Sequence, residues 1–169
     1  MDAQTGYRIR PYRDADLPMV RAMLDGLQEY ECTIEANRAH WADGGAAYAD
    51  WMLEESAQNA GAVLIAESDA GAVIGILTCW RAEDATDITV VPAARVHLYI
   101  SELFVAEAWR GRGVAGPLLA AAEAHAMSLG IATVTIGSLA TNASARRAYA
   151  KAGFAEYEIL LRKHLPLSD

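Results

Sequence analysis

The sequence has only two cysteines, Cys32 and Cys79, and no C-x-x-C or H-x-x-x-H spacing. That leaves no material for a disulfide framework or a zinc site, so no metal is expected. No run reaches the roughly 18 apolar residues a membrane helix requires, and MDAQTGYRIR has no apolar h-region. The expectation is a soluble, cytoplasmic protein with no membrane partner. A positive balance is also missing: 14 Lys and Arg stand against 22 Asp and Glu, a net charge of −8. Phosphate backbones repel such a surface, so nucleic acid is not an expected partner. Low-complexity tracts and internal repeats are absent. What remains, 169 residues that are 53% hydrophobic and 21% charged, suits a single domain over 1–169, long enough to bury a real core.

Punctuation and periodicity divide the chain into elements. Tyr7 to Pro11 reads as a strand, and Asp16 before Leu17-Pro18 as the start of a helix running towards Tyr30. A second helical stretch runs from about Arg38 to Asn59, interrupted at Gly44-Gly45. AVLIAE (Ala62 to Glu67) and AVIGILTCW (Ala72 to Trp80) flank Ser68-Asp69-Ala70-Gly71, which predicts a hairpin followed by an exposed loop with Asp84 and Asp87. VHLYISELFV (Val96 to Val105) is a long strand, and Val114 to Leu129 a helix closed by Gly130. Thr133 to Leu139 is a further strand. Asn142 caps a helix with Ala145, Ala148, Tyr149 and Ala152 on its apolar face, Gly153 ends it, and Phe154 to Arg162 is the last strand. Hairpins and crossovers in one order imply a mixed sheet with helices on its faces.

WRGRGVAGPLL, Trp109 to Leu119, spaces Gly111, Gly113 and Gly116 as G-x-G-x-x-G. Spacing alone suggests a dinucleotide fingerprint, but three features that should accompany it are missing. IATVTIGSLATN carries no Asp or Glu about 20 residues on, too little chain follows Gly116 for a full dinucleotide domain, and Ala106 to Arg110 separate ISELFV from the first glycine. A glycine-rich loop feeding an alanine-rich helix still offers unpaired N–H donors and a positive dipole end to a pyrophosphate. Arg110 and Arg112 add charge. Pro117 departs from this pattern, since it has no N–H to give.

With N-x-x-A-x-x-x-Y-x-K-x-G-F downstream, Asn142 to Phe154, the region resembles the GNAT superfamily of acetyl-CoA-dependent N-acetyltransferases. Arg110, Gly113 and Ala115 meet that family's Q/R-x-x-G-x-G/A pattern, and ELFV matches the strand that holds pantetheine. The resemblance implies an α/β (α+β) fold, with a mixed, mostly antiparallel central sheet of six to seven strands flanked by about four helices. It implies acetyl-CoA as cosubstrate. Leu103, Phe104 and Val105 would bind pantetheine and thioester, Arg110, Gly111, Arg112, Gly113, Val114 and Ala115 the pyrophosphate, and Asn142 the pantetheine arm.

Such chemistry needs a base to deprotonate an ammonium and an acid to protonate a leaving thiolate. Tyr149 stands where the family places its acid, although it also suits a core tyrosine. Glu102 is the only carboxylate within the central strand and is the favoured base, acting through water, with Tyr99 and His97 as rivals. Regular alternation sets Glu102 opposite in facing to His97, Tyr99 and Ser101, unless a bulge near Leu103 changes the count. His125 and His164 have no catalytic partner in spacing and read as surface or satisfied residues. Arg146, Arg147 and Lys151 suit either the coenzyme's phosphates or solvent.

The acceptor is expected to be a small-molecule amine. Between Asp25 and Glu55 lie eight acids against one base, Arg38, and by resemblance this segment lines the acceptor cleft. A negative field there favours cationic amines, polyamines and aminoglycosides among them, while a solvated acidic face explains the same residues. A protein N-terminus or lysine as acceptor, and a non-catalytic acyl-CoA-binding module, are the alternatives. The resemblance also makes a homodimer an expectation.

Overall fold

VIGILTCW supplies eight buried residues in succession, and a strand buried without alternation must be covered on both faces. This run is the middle of the sheet. The computed structural model describes residues 6–86, 88–163 and 165; Asp87 and His164 lie outside the described residues. In chain order the elements are β1 (Tyr7–Pro11), α1 (Leu17–Ile34), α2 (Gly45–Gln58), β2 (Ala62–Ser68), β3 (Val73–Glu83), β4 (Val96–Val105), α3 (Ala115–Ser128), β5 (Val134–Ile136) and α4 (Ala143–Lys151). The sheet order is β1-β2-β3-β4-β5. Its pairs are antiparallel except β4 with β5, which is parallel.

Adjacent strand residues pack into different layers, as the pleat requires. Ile65, Ile76 and Trp80 meet Val20, Met23 and Leu24 of α1 and Ala49 and Met52 of α2. Ala66, Leu77, Cys79, Leu98 and Ile100 meet Leu118, Leu119, Ala122 and Ala126 of α3 on the other side. Among the described residues, no helix is long and apolar enough to cross a membrane.

A buried ion-pair cluster ties β1 to the rest. Arg10 donates from both terminal nitrogens to Asp16, at 2.7 and 2.8 Å, and from Nε to Glu67 at 2.5 Å. Its side chain is 9% exposed. Asp16 does precede α1 as expected, but its carboxylate serves Arg10 and the backbone N–H of Arg13 rather than capping the helix.

The expected last strand, Phe154 to Arg162, is a correction. This segment forms no ladder among the described residues, so the sheet has five strands rather than six to seven. A β-favouring composition becomes a strand only where an edge of adequate length is available to pair with it. β5 has three residues, and the segment is tied to the body through the ion pairs Arg146–Glu156 and Arg162–Glu35. Ile159, Leu160 and Leu161 are consequently exposed.

Candidate active site

β4 and β5 pair only at Leu98–Val134, Tyr99–Thr135 and Ile100–Ile136. On its other side β4 stays paired with β3 as far as Val105. Beyond Ile100 the strand therefore presents a backbone edge that β5 does not cover, and a cleft of about 490 Å³ opens along it. α1 walls it with Leu27, Tyr30 and Glu31, β4 with Glu102, Leu103, Phe104 and Val105, and α4 with Ala148 and Tyr149. At the far end lie Arg110, Gly111, Gly113, Val114 and Ala115.

The register of β4 slips by one at its centre. Thr78 of β3 faces Glu102 whereas the next residue, Cys79, faces Ile100, which leaves Ser101 as the extra residue of a bulge. Its hydroxyl sits 2.6 Å from that of Thr78. The bulge overturns the simple alternation: Glu102 now shares the α1–α2 side with Tyr99 and Phe104, while Leu103 and Val105 turn towards α3. Tyr149 packs with that second layer, so the cleft joins the two faces of the sheet.

The glycine loop owes its shape to two residues in the left-handed region, Gly111 at φ +74° and Gly113 at φ +83°. Neither has a neighbour within 4 Å of where a Cβ would stand, so backbone conformation, not crowding, is what requires glycine. α3 follows at Ala115, and its first-turn N–H groups have no partner inside the helix. Arg110 donates from Nε to the Val105 carbonyl at 3.0 Å, with its guanidinium 4.9 and 5.1 Å from the ring centres of Tyr30 and Phe104. Arg112 is set apart: its guanidinium lies 5.2 Å from the Trp109 ring centre and it is not among the cleft-lining residues. Asn142 caps α4 as expected, its Oδ1 accepting from Ala145 N–H at 3.0 Å, which leaves the amide nitrogen as donor.

Two ionisable groups in this cleft are displaced from their ordinary values. Burial pushes the Glu102 carboxyl up to about 7, against a hydrogen bond from the Tyr48 hydroxyl that pulls it down. Burial, with the charges of Glu102 and Glu31, pushes the Tyr149 phenol up to about 12. At neutral pH Tyr149 thus keeps its proton while Glu102 populates both forms. The rival bases lie elsewhere. His97 has Nδ1 within 3.4 Å of the Arg95 carbonyl and 3.8 Å of Asp84, and Tyr99 packs its ring edge-on to Trp80.

Most of the acids between Asp25 and Glu55 have side-chain partners away from the cleft: Glu29 with His40, Glu35 with Arg162, Asp50 with Arg21, Glu54 with Gln58 and Glu55 with Asn59. Only Glu31 of this group lines the cleft, paired with Arg38 at 2.5 Å. Sequence reasoning missed Tyr48 as Glu102's partner. No local signal marks it, because only the packing of α2 against the sheet brings it beside β4.

The cleft thus joins an uncovered strand edge, a glycine turn and the N-terminus of α3. The acetyltransferase (GNAT) family model matches residues 24–154, and the chain belongs to that family. No curated protein sequence matches it. Similar solved structures include a tetramutant of the BH1408 protein from Bacillus halodurans, 17% identical with a TM-score of 0.79 over 94% of this chain and 99% of that one. A GCN5-related N-acetyltransferase from Ralstonia eutropha JMP134 is 23% identical, TM-score 0.73, over 94% and 99%. Aminoglycoside N-acetyltransferase AAC(6')-Iy in complex with CoA is 20% identical, TM-score 0.68, over 94% of each chain.

Proposed function

We propose that this acetyltransferase carries an acetyl group from acetyl-CoA to a small, cationic primary amine. The observation that supports this best is the pairing, in one cleft, of a carboxyl pushed up to about 7 with a phenol pushed up to about 12. Environments that separate two titrating groups in this way assign a base and an acid.

When bound, acetyl-CoA supplies the thioester. The uncovered edge of Leu103, Phe104 and Val105 suits an extended pantetheine chain, and N–H groups there are suited to a developing oxyanion. Gly111, Gly113, Val114 and Ala115 would hold pyrophosphate through N–H donors and the helix dipole, with the Arg110 and Arg112 side chains adding positive charge beside the turn. Asn142 offers its amide nitrogen to the arm. Glu102 takes the proton from the acceptor's ammonium, directly or through one water, and a midpoint near 7 suits that task at neutral pH. Tyr149 holds its proton at Oη for the departing thiolate. Glu31, although paired with Arg38, gives the cleft a second carboxylate whose other oxygen is suited to a positively charged acceptor.

Calorimetry with acetyl-CoA tests the loop. Gly113→Trp places a bulky side chain at a left-handed position in the cleft wall, and affinity is expected to fall at least tenfold; equal affinity refutes the assignment. A screen of amines by release of coenzyme A thiol tests the acceptor. Polyamines and other cationic amines should lead, and a preference for peptide N-termini would refute the small-amine reading.

A further inference from the structure

A second, smaller cavity of about 160 Å³ adjoins the cleft and shares Leu27, Glu31 and Glu102 with it. Glu102 thus stands at the junction. Tyr48, from the first turn of α2, forms part of the smaller cavity's wall and donates its hydroxyl to Glu102 Oε1. Its ring is anchored from behind: Tyr48 lies 5.5 Å from Trp51, Trp51 5.8 Å from Trp80, and Trp80 5.4 Å from Tyr99, ring centre to ring centre. The three packings run edge-on or tilted from α2 through β3 to β4, so Trp51 and Trp80 back the Tyr48 ring, which is itself 39% exposed.

We infer that Tyr48 is a positioning residue: it occupies one oxygen of the Glu102 carboxylate and aims the other at the acceptor where the two cavities meet. The inference rests on the reading of Glu102 as base. The remaining ionisable groups that bear on Glu102 or meet its field are Glu31 on α1, Arg38 in the connection to α2, Tyr99 on β4 itself and Tyr149 on α4. Of these, Glu31 and Arg38 bond each other. Tyr48 is the side chain that donates to Glu102, and removing its hydroxyl removes the hydrogen bond that favours the ionised form.

The test compares wild type, Tyr48→Phe and Glu102→Gln. Carboxyl ¹³C shifts in the protein without substrates follow Glu102 directly. In Tyr48→Phe its midpoint should rise by about one pH unit, the scale of a charge-assisted hydrogen bond. The acidic limb of kcat/KM should move up with it, lowering kcat/KM at pH 7 by about fivefold, with KM for acetyl-CoA unchanged. In wild type the Tyr48 Cζ resonance should also titrate with Glu102's midpoint, and Glu102→Gln should abolish that response; this arm needs no Tyr48 variant to fold. An unmoved Glu102 midpoint in Tyr48→Phe that melts like wild type overturns the inference, as does a Tyr48 resonance blind to Glu102. If instead the acidic limb survives Glu102→Gln, the base reading fails separately, while the carboxyl shifts still report Tyr48's hold.

Discussion

Replacing Glu102 by Gln should stabilise the protein, and only above acidic pH. The carboxyl's ordinary value is 4.5 and burial pushes it up to about 7. The folded state therefore binds its proton more tightly than the unfolded state does. A raised acid of this kind costs nothing below pH 4.5, where both states are protonated; its cost grows as pH rises towards 7 and is constant beyond. At about 1.4 kcal/mol per pH unit, the full cost is about 3 kcal/mol. Gln keeps the shape and a carbonyl to accept from Tyr48, and it carries no charge to desolvate. Denaturant melts of both proteins should coincide near pH 4.5 and separate through pH 7, with the variant more stable by up to about 3 kcal/mol at pH 8. For a chain of this size that is roughly 6–12 °C in Tm. Because every other titrating group is common to both proteins, the difference curve isolates Glu102. Parallel curves, with no growth of the difference between pH 4.5 and 8, would refute the burial argument and the base assignment built on it.

Tyr149→Phe should lower kcat about 100-fold with little change in KM, since a proton delivered late in the reaction is a transition-state interaction; an unchanged kcat returns Tyr149 to the core. Arg10→Ala strands the buried Asp16 carboxylate and should cost about 3 kcal/mol in denaturant melts, against almost nothing for the exposed Arg8→Ala. Asp16 is held below its ordinary 3.8 by Arg10, so its contribution is present above that pH and lost as pH falls below it; wild type should show this loss in acid melts and Arg10→Ala should not. Glu31→Gln should raise KM for a polyamine several-fold at low salt, with the effect shrinking as salt rises. Glu29→Gln and Glu35→Gln, whose carboxylates are engaged by His40 and Arg162 away from the cleft, should leave that KM unchanged.

Local signals carried much of this molecule because their physical causes are local. Gly111 and Gly113 adopt the left-handed backbone a tight turn needs, Asn142 caps α4 through its own side chain, and the apolar run of β3 announces a strand covered twice. The family motifs between Ile100 and Phe154 arise from the same kind of short-range requirement. Phe154 to Arg162 misled for the complementary reason: its composition is strand-like, but pairing is a property of two segments, and the second was never in its own sequence.

The side of the sheet that Glu102 faces belongs to the tertiary structure. A one-residue slip between Thr78 and Cys79 makes Ser101 a bulge and turns Glu102 towards α2, and nothing in ISELFV specifies that register. The sorting of the acidic segment was likewise decided by packing, since partners as distant in sequence as Arg162 and Arg21 withdraw Glu35 and Asp50 and leave Glu31 at the cleft. The sequence by itself determined the helices, the first four strands, the glycine turn and the family motifs, because each rests on interactions within a few residues. Only the tertiary structure decided the base's surroundings, its hydroxyl partner 54 residues away and its raised titration, because burial and long-range contact exist only once the layers have closed.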